Sequence, residues 1–220
     1  MKHYKNFFIL ISLLCMTAHS ICQAQSINFE KVLSTYYIEE DKDLLPHSIE
    51  FLNSEETDSE ILRYVIVGFY GGLFIKNPAI KKQFKENIEQ FNNPEINKMF
   101  SGLIEGNIEK IMENYAISPS HNDMNWAAFF STGDTQYLQK ILRNASYASN
   151  REDLNLFLTG ASAKWSLCSN AKQHQLVKDF LLQNEEYEEI AEEVLTMKPS
   201  DLENEIYNVV KEERAKGNWL

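Results

Sequence analysis

The chain has 220 residues, 44% of them hydrophobic, with 21 basic and 32 acidic side chains and a formal net charge of −11. That balance argues against nucleic acid as a partner, because phosphate binding needs clustered Lys and Arg that release counterions. It also disfavours docking on anionic lipid.

The chain opens with Lys2 and Lys5, an apolar run from Phe7 to Met16, and the ending Cys22-Gln23-Ala24 before Gln25. This order is that of a cleaved secretory signal peptide over residues 1–24, too short in its apolar part to span a bilayer. Leu14 and Ile21 precede Cys15 and Cys22 where a lipoprotein signal requires a small residue, which disfavours a lipid anchor. Cleavage removes Lys2 and Lys5 and no acid, taking the formal charge from −11 to −13, and leaves residues 25–220 as one expected all-helical domain, secreted or periplasmic. Cys168 is then the only cysteine, so an internal disulfide cannot form and the core alone must stabilise the fold.

Apolar residues recur at helical spacing along the rest of the chain, beginning with Phe29, Val32, Leu33, Tyr36 and Tyr37. The pattern predicts helices over about 28–38, 58–76, 79–91, 94–105, 107–117, 121–132, 135–146, 151–169, 172–196 and 201–216, and no strands. Thr57 with Glu60 and Ser200 with Glu203 read as capping boxes. Asn77-Pro78, Asn93-Pro94 and Ser118-Pro119 place a capping side chain before a proline whose missing N–H costs nothing at the first helical position. Asn150 with Asp153 resembles a further cap, Asp134 is expected to cap the helix carrying Tyr137 and Ile141, and Asn170 reads the same way. Gly217 suits the last exit. The segment Ile61 to Ile75 is apolar nearly all round and predicts a buried central helix, with Gly68, Gly71 and Gly72 permitting a neighbour to approach. Short polar turns at 76–78, 106–107, 133–134 and 169–170 make the fold class all-α: irregular stacked helical hairpins forming an α/α superhelix, with a closed helical bundle as the alternative.

The segment Trp126-Ala127-Ala128-Phe129-Phe130-Ser131-Thr132-Gly133-Asp134, with Lys164-Trp165-Ser166-Leu167-Cys168-Ser169-Asn170-Ala171-Lys172-Gln173-His174, resembles a family of exported bacterial helical proteins of uncharacterised function. The resemblance covers about residues 120–182. It implies an exported helical domain and supplies no catalytic residue.

Within these segments Trp126, Phe130, Trp165 and His174 are the candidate binding residues, since aromatics on neighbouring hairpins can line a groove for a peptide or apolar ligand. The same spacing is what core packing produces, and packing is the commoner use. Ser169 and Lys172 match the spacing of a serine nucleophile and its lysine base, but the companion elements of such enzymes are missing. His47, His121 and His174 lie far apart and form no ligand motif, and no phosphate loop, nucleophile elbow or dinucleotide fingerprint occurs. No metal or other cofactor is therefore expected. Asn144-Ala145-Ser146 is a glycosylation sequon, relevant only to a eukaryotic secretory pathway. The acidic run Glu185 to Glu193 reads as a solvated helix face, with docking of a basic partner as the alternative.

The sequence fixes no reaction. It favours an exported, non-enzymatic binding or scaffold module of the cell envelope that recognises a protein or peptide. The alternative is an all-helical hydrolase or small-molecule-binding protein in which His121, Asp123, Asp134 and His174 are gathered by folding. An immunity or inhibitor protein also fits the acidic surface.

Overall fold

The computed structural model describes residues 29–54 and 59–219. The expected signal peptide and the capping box at Thr57 lie outside these residues. Among them are twelve α-helices and no strand: α1 Phe29–Thr35, α2 Leu44–Leu52, α3 Ser59–Lys76, α4 Pro78–Glu86, α5 Pro94–Glu105, α6 Ile108–Glu113, α7 Pro119–Thr132, α8 Gln136–Ala145, α9 Leu154–Asn170, α10 Gln175–Leu182, α11 Glu188–Thr196 and α12 Pro199–Ala215. The all-α expectation holds. No helix of the described residues is long and apolar enough to cross a membrane.

Helix entries follow the local chemistry. The Asn77 side chain accepts from the N–H groups of Ala79 and Ile80, Asn93 from Glu95 and Ile96, and Ser118 from His121. Two entries differ from expectation. Asp153, not Asn150, caps α9 by accepting from the Leu156 N–H, while Asn150 accepts from Glu152 and Asp153 in the preceding turn. The capping box at Ser200 does not form, because α12 begins two residues before the expected start at 201, with Pro199 at its first position, where its fixed φ is already helical. Gly217 ends α12 at φ +78°, with Asn218 N–H returning to the Glu213 carbonyl.

The central feature is the pair α3 and α7. A Cβ on Gly68 would lie 2.0 Å from the Met124 carbonyl oxygen, and one on Gly72 would lie 3.3 Å from the Ala128 Cα. The Lys76 ammonium donates to the Thr132 carbonyl at 2.5 Å. The pairs 68/124, 72/128 and 76/132 advance together, so the two helices run parallel in backbone contact. Helix α9 continues the parallel stack on the other side of α7: Asn122 reaches Thr159 and Ser162, and Trp126 reaches Ser166. Helix α8 runs back between them, bringing Asn144 to Asn122. First helices of hairpins thus lie parallel, as the hairpin reading expects. The irregularity is that α3 meets α7 directly, with the α5–α6 pair packed to its side.

One continuous apolar cluster reaches from Phe29 to Leu202. Its densest aromatic part surrounds Tyr70, whose ring contacts Phe69, Phe74, Phe84 and Phe100. A smaller cluster of Phe157, Ala161 and Trp219 pins the C-terminal segment to α9, with the Trp219 indole donating to the Arg151 carbonyl.

Two expectations about elements are corrected. Helix α2 was not foreseen, because Pro46 interrupts the pattern; it falls in the first turn, where no intrahelical N–H bond is required. The single helix expected over 172–196 is two helices, α10 and α11, separated by a turn in which Asn184 Oδ1 accepts from the Tyr187 N–H.

Gly68→Ala should destabilise the fold by more than about 2 kcal/mol, since a methyl group meets rigid backbone and α3 and α7 must separate. Gly102→Ala, with nothing within 4 Å of the added carbon, should be neutral or stabilising by about 0.5–1 kcal/mol. Urea unfolding of both variants checks the contrast; equal effects would contradict the close-packing account.

Candidate ligand cleft

A cleft of about 500 Å³ opens between the chain leaving α1 and helix α4. One wall is Tyr36, Glu40, Asp41 and Lys42 with the first turn of α2, Leu44, Leu45 and Pro46; the other is Ile80, Gln83, Phe84 and Asn87. The floor is the aromatic cluster on α3, reached through Phe84 and through the edge-on contact of Tyr36 with Phe69 at 5.5 Å. The acidic wall is braced from behind. Asp41 Oδ2 bonds His47 Nδ1 at 2.6 Å, and its Oδ1 accepts from the Asp43 N–H at 2.9 Å. Ser48, one residue on, bonds the buried Tyr70 hydroxyl, so α2 is fastened to α3 by polar as well as apolar contacts.

Tyr36 is the unusual member of this lining. Its ring is buried, with 4% of the residue exposed, while its hydroxyl bonds no described residue and is not among the buried polar atoms left without a partner, so it stays open to solvent. Burial, then the negative charges of Glu40 and Asp41, push its phenol up to about 12, so it stays neutral at any ordinary pH. Lys42 on the rim forms no ion pair with Glu40 or Asp41, so its charge does not neutralise them by contact.

The residues expected to form a groove occupy the other end of the core. Trp126 and Phe130 are 2% and 1% exposed and stack on each other at 5.4 Å. The His174 ring lies 5.1 Å from Phe130, and its Nδ1 bonds the Tyr37 hydroxyl at 2.9 Å. Burial lowers the His174 pKa and raises that of Tyr37. Trp165 is half-buried on α9 and has no ring contact with the other three among the described residues. Folding therefore unites Trp126, Phe130 and His174 with Tyr37, but as interior packing that closes the end of α7. There, the Tyr37 N–H donates to the Phe130 carbonyl and Gly133, at φ +69°, lies against the Tyr37 ring.

Comparison with protein-family models, curated proteins and solved structures found no match.

The four polar residues considered for catalysis do not converge. His121 and Asp123 sit near the start of α7, nine and seven residues, or about 13 and 10 Å at 1.5 Å rise per residue, from Phe130, against which His174 packs. Asp134 accepts from the Gln136 N–H in the turn before α8, but the N-cap position is Thr135 and no side chain makes a cap bond there, so Asp134 is not the cap that the sequence predicts. His121 is buried, with its pKa lowered by burial and then by Lys140 and Arg143; its Nδ1 and Asn125 Oδ1 are buried without partners. Asn170 closes α9 by donating to the Ser166 carbonyl and is not an entry cap. Ser169 is buried and the Lys172 amine bonds the Met197 carbonyl, so neither is displayed as a nucleophile and base pair. The Cys168 thiol is buried, points to Met197, and is raised in pKa by that burial. Asn144 is 1% exposed and bonded to Asn122, so its sequon is closed to modification in the folded chain. Among the described residues no three His, Cys, Asp or Glu side chains are placed to share a metal ion.

Sequence reasoning missed the cleft. Tyr36 was read only as an apolar helix position and His47 only as an isolated histidine. The usable signal was Asp41-Lys42-Asp43 followed by Leu44-Leu45-Pro46, an acidic turn leading into a helix with proline in its first turn.

Asp123 is half-buried without a hydrogen bond among the described residues, and burial pushes its carboxyl up to about 7 from an ordinary 3.8. The folded chain therefore keeps a proton that the unfolded chain loses above about 4. Stability from this group is full below pH 4 and is lost as pH rises through 7. Asp123→Asn should accordingly raise stability by about 1 kcal/mol or more at pH 8 and change it little at pH 4. Urea unfolding at the two pH values measures this, and a pH-independent difference would contradict it.

Proposed function

We propose that the protein is an exported binding module of the cell envelope that holds a short peptide segment of a partner in the cleft between Tyr36–Pro46 and Ile80–Asn87. The observation that carries this reading is the cleft itself. It combines apolar surface from Leu45 and Ile80, backed by the buried Leu44 and Phe84, with a few polar groups, and its volume of about 500 Å³ suits two or three residues. A recognition site needs that mixture: apolar surface for affinity and a small number of placed polar groups for orientation. Reading the chain as a binder also agrees with the dispersal of its catalytic candidates. The non-enzymatic reading places no demand on His121, Asp123, Asp134 or His174, whose surroundings are those of core and turn residues.

Export rests on the first 24 residues. Expressed from its own start in an exporting bacterium, the protein should be recovered outside the cytoplasm with Gln25 as its first residue by intact mass. Recovery of an uncleaved cytoplasmic chain would contradict this part of the reading.

Ile80→Trp tests the cleft, because the larger ring fills it from the α4 side. Pools of capped tripeptides should include some that raise the melting temperature of the wild-type protein by about 3 °C at ten times their Kd. Ile80→Trp should abolish that rise while unfolding near the wild-type temperature without peptide. No stabilising pool, or a rise that persists in the filled variant, would overturn the proposal.

A further inference from the structure

We infer that the junction of α7, α8 and α9 is a binding site for one internal water molecule, which accepts from the His121 Nδ1–H and donates to the Asn125 side-chain carbonyl. The inference concerns the start of α7 and is independent of the peptide-cleft reading.

Among the described residues, His121 Nδ1 and Asn125 Oδ1 are the buried side-chain polar atoms left without a hydrogen bond. His121 is 9% exposed and Asn125 is fully buried, and the two stand one helical turn apart on α7. An unpaired polar group in such a position costs free energy, and the great majority of buried polar groups in folded proteins are paired, with protein or with ordered water. The surroundings are polar as well. Asn122, on the same turn, donates to the Thr159 carbonyl and the Ser162 hydroxyl of α9 and accepts from Asn144 of α8. A site lined by polar groups takes up water, whereas an apolar one stays dry.

Local chemistry decides which kind of partner fits. Asn125 Nδ2 donates to the His121 carbonyl at 2.8 Å, which sets the orientation of the amide, and the same nitrogen lies 3.5 Å from His121 Nε2. An amide nitrogen only donates, so the ring nitrogen facing it carries the lone pair and the ring proton sits on Nδ1. Burial, then the positive charges of Lys140 and Arg143 on α8, keep the ring neutral at neutral pH. The two open groups are therefore one donor, Nδ1–H, and one acceptor, Oδ1. They are complementary but do not bond each other, so a partner that both accepts and donates completes the pair. A metal ion would meet the ring N–H and the two α8 cations, and an anion would meet the amide oxygen. Water is neutral, small and does both. With it in place, the polar junction that joins α7 to α8 and α9 has each of its buried side-chain groups paired.

Nuclear magnetic resonance of the nitrogen-labelled protein at neutral pH tests the site. His121 should show a slowly exchanging ring proton on Nδ1 with Nε2 unprotonated, and that proton should give an Overhauser contact to water with the sign of a long-lived complex. Magnetic relaxation dispersion of the water oxygen counts long-lived internal waters. Asn125→Leu removes the acceptor at similar volume and should lose one such water relative to the wild-type protein, because a buried water is held by at least two polar partners. The first measurement needs no substitution, so it decides the matter even where Asn125→Leu does not fold. A ring proton on Nε2, or an Nδ1 proton without contact to water, would overturn the site. An unchanged count of long-lived waters in folded Asn125→Leu would overturn it as well.

Discussion

The fold depends on the backbone contact between α3 and α7. Gly68 and Gly72 leave a flat strip on α3 that accepts the Met124 carbonyl and the Ala128 backbone, and this brings the two helices into direct backbone contact. Everything else is arranged around that seam. On one side α3 turns Phe69, Tyr70, Phe74 and their aromatic partners toward α4 and α5; on the other α7 turns Asn122, Trp126 and Phe130 toward α9 and α10. The Lys76 ammonium on the Thr132 carbonyl fixes the ends in register and satisfies an acceptor that the helix terminus leaves open.

Two consecutive residues then divide the molecule's chemistry. Tyr37 turns toward α7, donating its N–H to the Phe130 carbonyl and bonding His174 through its hydroxyl, and so seals the aromatic end of the core. Tyr36 turns toward α3, packs on Phe69, and lines the cleft. The segment that follows leaves the helix and carries the acidic turn into α2. On the peptide-cleft reading, a peptide entering the cleft would meet a wall already packed against α3, which lowers the cost of ordering it.

Local chemistry was legible in the sequence where a side chain acts within three residues of itself. The caps at Asn77, Asn93 and Ser118 and the exit at Gly217 were all readable, because turn and cap geometry depends on few neighbours; glycines in an all-round apolar helix also signalled a close approach at Gly68, though not to which helix. Helix α2 was not, since Pro46 breaks a pattern that only first-turn placement reconciles, and the break at Asn184 was hidden inside an apolar period that runs on through both helices. The aromatic residues show the limit of periodicity more sharply. Spacing places Trp126 and Phe130 on one face of a helix, but whether that face meets solvent or another helix is decided by α9 and α10, far away in the chain. The cleft is of the same kind, since its walls are separated by more than thirty residues and nothing local joins Tyr36 to Phe84.

The most direct test of where recognition takes place is amide chemical-shift mapping on the labelled exported protein, titrated with a capped tripeptide that raises its melting temperature. The account predicts that the largest shifts fall on residues 36–46 and 80–87, with those at Trp126, Phe130, Trp165 and His174 unmoved. Shifts concentrated on these four, with the cleft silent, would place recognition in the aromatic end of the core and contradict it.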